Sequence, residues 1–414
     1  MSIGSRSRRR RAIAATGALL LLSGAGATAC SSSDDSSANP ALDAPTTSLP
    51  LNPAKGEAVK IGFVSTEGGA AVSLPEIRKG AEAAAEYVNQ NGGGLAGRPI
   101  DLIVCKQGEE PTSSTNCANQ FVEQKVSVVL APGTSQGPAI VPIVTGAGIP
   151  YVTLNAVSAV ELTDPNVSAL SAGLPGTLTA MATSAKDQGM KSFTIFASDG
   201  GGTGAVIDQM GSPIFDAMGV DLDVVPIALG IPDPTPLVAS GLAGKPDGIS
   251  VIADAALCSS VYKAVQTTDP NMKKVFIPVC LAPDVIKVIG MSAVEGNAGV
   301  SATDYLSDEP GSILYRSILQ QYAPDVSVTG AAAMGYQTLM AVVAATDGIQ
   351  GEVSAASIKD ALKASRDVPM PAGGGVTFTC DGSAFPQMPT ICSGQTLLGT
   401  LNDQGIPVDL KVTG

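Results

Sequence analysis

The sequence predicts an α/β protein built from two doubly wound parallel sheets. Short apolar runs rich in valine and isoleucine alternate with amphipathic helical patterns, which is typical of repeated βαβ units. These runs are apolar almost throughout, as in strands that are covered on both faces. The alternation also restarts near Phe193. A chain of 414 residues is long enough for two domains with full cores.

The first series begins with a strand at 59–64 and an amphipathic helix at 74–91. Further strands of this series, with helices between them, are predicted at 100–104, 126–130 and 151–154.

The second series contains four predicted strands, at 193–196, 222–227, 249–253 and 275–278. The chain then becomes helical, with helices predicted at 313–322, 331–347 and 354–365. The helix at 331–347 is apolar nearly all round, so we expect it to be buried. The terminal segment 376–412 is rich in strand and turn formers.

The N-terminus reads as an export signal, residues 1–29. It contains a basic region, an apolar run at 12–22 that is too short to span a bilayer, and small residues before Cys30. The small residues before the cysteine resemble the lipobox of bacterial lipoproteins, while Ala27-x-Ala29 also suits an ordinary signal peptidase. We expect acylation of Cys30 and location at the outer face of the cytoplasmic membrane.

Residues 30–57 are rich in Ser, Asp, Thr and Pro, which predicts a disordered tether between the lipid anchor and the first strand.

The cysteines predict three disulfides. Apart from Cys30, the cysteines of the chain fall into three close pairs separated by long cysteine-free intervals, and in an oxidising compartment the simplest arrangement is three local bridges. No histidine and no CxxC spacing is present, which argues against a zinc site. The pairs are Cys105 with Cys117, Cys258 with Cys280, and Cys380 with Cys392.

Charge and composition exclude several functions. The formal net charge is −13 even with the five arginines of the leader, so a nucleic-acid partner is not expected. The motif "APGTSQG" (131–137) fits the nucleophile elbow of a serine hydrolase at Ser135. An ordinary triad needs a histidine, and the chain has none. We expect no catalysis, no cofactor and no metal.

A glycine loop, "DGGGTG" (199–204), fits G-x-G-x-x-G/A with Ala205 and raises the possibility of a dinucleotide site. A dinucleotide site requires an acid at the end of the next strand, but Asp221 and Asp223 lie at the beginning of that strand. Export also argues against a nucleotide enzyme. The alternatives are a solute-binding loop or a plain tight turn.

Three stretches resemble the type I periplasmic solute-binding proteins, the leucine/isoleucine/valine-binding group of ABC importers. They are "VKIGFVSTEGG" (59–69), "KGAEAAAEYVNQNGGGLAGRPIDLIV" (79–104) and "VVLAPGTSQGPAIVPIVTGAGIPYVTLNA" (128–156). The resemblance implies two α/β lobes joined by hinge strands, with a small organic solute in the cleft between them. It also implies an ABC permease with its ATPase as partner; we expect a monomer.

On this basis lobe 1 is predicted to comprise 58–174 plus 304–375, and lobe 2 to comprise 175–303 plus 376–414. The predicted ligand-binding residues lie in loops after strands, and they are Ser65, Glu67, Thr134, Ser135, Thr153, Asn155, Asp199, Thr203, Asp254 and Leu281.

The resemblance assigns particular roles to some positions. Thr134 and Ser135 match the hydroxyl loop that contacts the carboxylate and amine of an amino acid. Val157 stands where a second hydroxyl is expected, and Val279 with Cys280 where an acid would meet the amine. Glu67, Asp199 and Asp254 are the candidate replacements for that acid, although each also suits a loop cap or a solvent-facing position.

The sequence therefore predicts an importer's solute receptor, with a ligand sensor on the same fold as the main alternative and an exported esterase as a remote one. The small residues of the cleft suggest a solute bulkier than valine, or one that is held mostly by backbone groups.

Overall fold

The computed structural model describes residues 44–69, 72–108, 110–200 and 202–414. The predicted signal peptide, Cys30 and residues 30–43 of the predicted tether lie outside these ranges.

Two large sheets organise the described chain, as predicted, and a two-stranded antiparallel sheet accompanies them. The strands of the first half are β1 Val59–Thr66, β2 Ile100–Gln107, β3 Val128–Leu130, β4 Tyr151–Thr153 and β5 Val167–Ala169. Those of the second half are β6 Ser192–Asp199, β7 Asp221–Ala228, β8 Gly248–Ile252, β9 Lys273–Phe276, β10 Ala298–Ser301, β11 Val368–Pro369, β12 Thr377–Phe378, β13 Thr396–Leu401 and β14 Pro407–Thr413.

The helices of the first half are α1 Pro75–Gln90, α2 Pro111–Gln124, α3 Gly137–Gly146, α4 Ala159–Thr163 and α5 Gly173–Asp187. The remaining ones are α6 Thr203–Met218, α7 Thr235–Leu242, α8 Ala255–Thr268, α9 Pro283–Ile289, α10 Pro310–Tyr322, α11 Ala332–Thr346 and α12 Ala355–Ala364. The predicted elements are confirmed, with ends that differ by at most three residues.

The first sheet has the order β2-β1-β3-β4-β5 and is parallel throughout. The second has the order β14-β13-β10-β9-β8-β6-β7, with β13 and β14 antiparallel at one side. Both are covered by helices, which explains why their strands are apolar on both faces. One core lies between the first sheet and α1, α10 and α11, another between that sheet and α2 and α3, and the third surrounds the second sheet.

Helices α1 and α11 approach each other closely because each carries a glycine at the contact. A Cβ at Gly80 would collide with the carbonyl group of Ala332, and one at Gly335 would collide with the carbonyl group of Ile77. The predicted burial of the second helix is confirmed, since most of its side chains are inaccessible to solvent.

The prediction of a disordered tether is wrong for residues 45–55, which we call the N-terminal strap. Hydrogen bonds attach the strap to α10 and to the end of α1, and the composition of the segment gives no sign of them. The Arg316 Nε donates to the Pro45 carbonyl at 3.0 Å, and the Asn91 side chain donates to the carbonyls of Leu49 and Pro50 at 2.8 and 3.0 Å. Low hydrophobicity predicted disorder, but the strap is held by its backbone polar groups.

The chain passes between the two sheets three times: after β5, after β10 and before β13. Of the terminal segment, which was assigned to lobe 2, residues Val376, Phe378, Cys380 and Cys392 pack in the core of the first sheet, whereas β13 and β14 belong to the second sheet. We therefore propose a lobe boundary near residue 395 rather than 376.

Candidate functional site

The predicted ligand-binding residues lie at the carboxyl edges of the two parallel sheets. Ser65 lies near the end of β1 and Thr153 ends β4, while Asp199 ends β6. Strands that run in parallel bring the loops after them to one edge of a sheet, which is where α/β proteins place their ligands. Within each sheet, the predicted residues are therefore grouped at the edge where such ligands bind.

The hydroxyl groups of the first sheet are engaged within the protein. The Ser65 Oγ donates to Glu67 Oε1 at 2.7 Å, and the Thr134 Oγ1 donates to Gln107 Oε1 at 2.7 Å. Thr134 also accepts from the backbone N–H of Gln136 at 3.0 Å. Because Ser65 and Thr134 are buried, they shape the loops around the edge, whereas Ser135 is exposed.

Gln107 was missed by the sequence analysis. It is the last residue of β2, lies opposite Thr66 in the parallel register, and is almost completely buried. Its side chain joins the end of β2 to the loop after β3. Only the register of β1 with β2 reveals this position, since nothing in the local sequence around Gln107 distinguishes it.

Thr153 and Asn155 form a second group next to the first crossing between the sheets. The Thr153 Oγ1 donates to the Asn155 carbonyl at 3.2 Å, and the Ser171 Oγ donates to Asn155 Oδ1 at 2.8 Å. Asn155 therefore links the loop after β4 to the segment in which the chain leaves the first sheet.

Glu67 already carries cationic partners. The Arg78 Nε lies 2.6 Å from Glu67 Oε1, and the Lys106 Nζ lies 3.4 Å from Oε2. Burial raises the pKa of the Glu67 carboxyl, but hydrogen bonds from Arg78 and Ser65 and the charge of Arg78 outweigh it and lower that pKa from its ordinary 4.5 to about 2. The negative charge of Glu67 is thus balanced by the protein itself.

The two acids that follow strands of the second sheet, Asp199 and Asp254, accept hydrogen bonds from backbone N–H groups at the beginning of helices. Asp199 Oδ1 accepts from the Gly202 N–H at 2.7 Å, and Asp254 caps α8 by accepting from the Leu257 N–H at 2.9 Å. Thr203 is exposed as the first residue of α6, and Leu281 is half-buried against the core of the second sheet. Of these four side chains, those of Thr203 and Asp254 are exposed at the surface.

The glycine loop is explained by packing and backbone conformation. Gly202 has φ +98°, which favours glycine, and a Cβ at Gly204 would lie 2.9 Å from Pro226 of the neighbouring strand. A Cβ at Gly200 would lie 2.6 Å from Leu229 Cδ1, so this glycine makes room for the loop after β7. Each of the three therefore has a structural reason that involves no phosphate.

All three predicted disulfides are present: Cys105–Cys117, Cys258–Cys280 and Cys380–Cys392. The first ties the end of β2 to α2, and the second ties α8 to the short helical turn 278–281 after β9. Two of the three therefore brace loops at the carboxyl edges.

A buried acid that the sequence analysis missed, Glu161, holds the loop after β4. Its carboxylate accepts from the Tyr151 hydroxyl at 3.0 Å and from the backbone N–H groups of Val157 and Ser158 at 3.2 and 3.1 Å. The Ser158-x-x-Glu161 spacing is a capping box that the sequence alone could have revealed. Val157 is thereby fixed with its side chain 64 % exposed.

Concavities elsewhere on the molecule do not contain the predicted residues. One of about 310 Å³ lies beside β10, β13 and β14 and includes Asp187 and Lys411, which form an ion pair. Another of about 20 Å³ lies among the three crossings, next to Ser171 and Thr396. The candidate site is therefore defined by the two sheet edges.

The profile of the family described as "periplasmic binding protein" matches residues 58–390. The chain belongs to this family. Its α/β architecture with two doubly wound sheets is the type I periplasmic binding protein fold. No curated protein matches this chain.

Solved structures share the fold of this periplasmic binding protein. A possible leucine/isoleucine/valine-binding protein from Rhodopirellula baltica is 17% identical, with 89% of this chain and 98% of that one covered and a TM-score of 0.69. The leucine-binding protein LivK from Thermotoga maritima is 17% identical, and the match covers 86% of this chain and 98% of LivK with a TM-score of 0.67. LivJ from Streptococcus pneumoniae, solved in complex with isoleucine, is 17% identical, and the match covers 86% of this chain and 99% of LivJ with a TM-score of 0.69.

Membership of the family carries two further statements. Periplasmic binding proteins are substrate-binding components of transport systems and are typically not enzymes, and they are extracytoplasmic. In the described ranges, no helix of this periplasmic binding protein has the length and apolarity needed to cross a membrane.

Proposed function

We propose that this protein is an extracytoplasmic solute-binding lipoprotein that captures a small organic solute and delivers it to an ABC permease with its ATPase. The observation that carries the proposal is the placement of candidate side chains from ten positions at the carboxyl edges of two separate sheets. A ligand held between two such edges can draw the lobes together, which is the hinge closure by which binding proteins report occupancy.

The proposed lobes are 58–174 with 304–395, and 175–303 with 396–414. In this arrangement Ser135 of one lobe and Thr203 and Asp254 of the other are the exposed polar groups that would touch the solute. Ser65, Thr134, Thr153 and Asn155 would act behind them by fixing the loops through the hydrogen bonds described above.

The proposal is tested by native mass spectrometry and thermal unfolding of the mature chain carrying Cys30→Ser, so that acylation is prevented. A ligand at 100 times its Kd should raise the free energy of unfolding by about 2.7 kcal/mol. Small-angle scattering should show a decrease in the radius of gyration on binding, as expected for hinge closure. Binding without closure would favour a sensor or store over an importer's receptor, and no binding from a broad solute panel would contradict the proposal.

A second experiment tests the anchor. We expect labelled palmitate to be incorporated into the wild-type chain in a bacterial host and the protein to sediment with membranes. The Cys30→Ser variant should lose both properties while it keeps the same thermal stability. Equal labelling of the two proteins would contradict acylation at Cys30.

A further inference from the structure

Large aliphatic side chains are exposed mainly at the two sheet edges. The described chain exposes nine such side chains, and six of them lie in loops or first helical turns that follow strands of the two sheets. Three belong to the first sheet and three to the second, and they are Val72, Leu74, Val157, Val206, Leu229 and Val279. The remaining three lie in the N-terminal strap, in α9 and in β14.

This distribution indicates an apolar occupant. Exposed apolar residues that are scattered singly need no explanation, but a set that gathers at a binding edge of both lobes is typical of a ligand-binding surface. Leu229 also packs against Gly200, a position where a side chain would displace it. The hydrophobic gain is realised only when a solute and lobe closure cover both sets.

The polar groups of the first sheet offer little to an ammonium group. Glu67 is paired with Arg78 and Lys106, and the hydroxyls of Ser65 and Thr134 are buried and carry no charge. A ligand ammonium buried here would lose its hydration without gaining a free carboxylate.

On the second sheet, Val279 stands at the position where the resemblance places an acid that would meet the amine of the ligand. Val279 lies in the turn after β9, is 41 % exposed, and is held next to the Cys258–Cys280 disulfide. Val157, fixed by Glu161, stands where a second hydroxyl is expected on the first sheet.

We infer that the cleft binds a predominantly aliphatic solute without an ammonium group, and that it discriminates against α-amino acids. This inference rests on the proposed function of the same cleft. The apolar rims of both lobes would contact the carbon skeleton. Val279 would leave the amine without a counter-charge at its position, and Asp254, the exposed acid of the second lobe, is already engaged as the cap of α8 through the Leu257 N–H.

The test uses calorimetry on the mature Cys30→Ser chain with a matched pair of ligands, L-leucine and 4-methylpentanoate, which differ only by the amino group. We expect 4-methylpentanoate to bind at least tenfold more tightly. Straight-chain carboxylates from hexanoate to decanoate should gain roughly fourfold in affinity per added CH₂ until the cleft is filled. Comparison with the neutral amide 4-methylpentanamide shows whether the cleft prefers a carboxylate or an uncharged head group.

The variant Val279→Glu restores an acid and should reverse the preference towards L-leucine. Val412→Glu is the matched control, because Val412 is 39 % exposed but lies on β14, away from the carboxyl edges. The control should keep the wild-type ratio of the two affinities.

Tighter binding of L-leucine by the unsubstituted protein would overturn the substrate class and leave solute capture intact. An equal effect of Val279→Glu and Val412→Glu on the ratio would also overturn it. Failure of every aliphatic acid, amide and amino acid to bind would overturn this inference together with the proposed function.

Discussion

At the edge of the first sheet, the ion pair of Glu67 with Arg78 should make the main electrostatic contribution to the stability of the folded protein. The Glu67 side chain is only 9 % exposed, and its pKa of about 2 lies well below the ordinary 4.5. At about 1.4 kcal/mol per pKa unit, this difference corresponds to at most about 3.5 kcal/mol of stability at pH 7. We expect Glu67→Gln to cost about 2–3 kcal/mol, since Arg78 keeps a second partner in Glu82.

The pH dependence provides the sharper test. A carboxyl whose pKa is lowered by folding stabilises the native state fully above its unfolded pKa, near 4.5, and this contribution is lost as the pH falls towards 2. The difference in unfolding free energy between wild type and Glu67→Gln should therefore shrink to less than half between pH 7 and pH 3. Urea unfolding followed by circular dichroism at both pH values measures it.

Glu82→Gln is the matched control, because Glu82 contacts the same guanidinium at 2.9 Å but is 44 % exposed. An exposed i,i+4 pair of this kind contributes about 0.5 kcal/mol or less. The reasoning would be refuted if both variants lost the same stability, or if the Glu67→Gln loss were equal at pH 7 and pH 3.

Three other predictions concern packing and cross-links. Asn91→Ala should lower the free energy of unfolding by about 1 kcal/mol and speed proteolysis within the N-terminal strap, because the carbonyls of Leu49 and Pro50, which are partly buried in these hydrogen bonds, lose their donor. Mass spectrometry of limited digests checks the cleavage sites. Gly335→Ala should cost about 1–3 kcal/mol by overpacking against α1, whereas Gly146→Ala, whose Cβ would meet open space, should be neutral or stabilising in urea unfolding. Replacing Cys258 and Cys280 by serine should lower the unfolding free energy by about 2–4 kcal/mol, and a melting temperature equal to that of wild type would contradict a structural role.

The order of elements could be predicted from the sequence because it depends on local patterns. Strands such as 59–64 and helices such as 74–91 are marked by the periodicity of their apolar residues, and the two sheets follow from the alternation of these patterns. The three disulfides follow from spacing, since each pair closes a short loop. The family is likewise recognisable from ordered motifs over residues 59–156.

The use made of each polar side chain could not be predicted in this way. Glu67 looked like a charge available to a ligand, but Arg78, eleven residues further on, lies close enough to neutralise it. Gln107 has no distinguishing neighbours, and only the register of β2 with β1 brings it to Thr134. Such pairings depend on distances between separate elements, which the local sequence does not encode.

The sequence by itself therefore determined the fold class, the cross-links and the strands whose ends carry the candidate site, because periodicity and spacing act over short stretches of chain. Only the tertiary structure decided that residues 45–55 form a strap, that the buried hydroxyls are already bonded, and that most of the exposed large aliphatic side chains of the described residues lie at the two edges. Burial and hydrogen bonding arise between elements that are distant in the chain, so they become visible only when those elements are packed together.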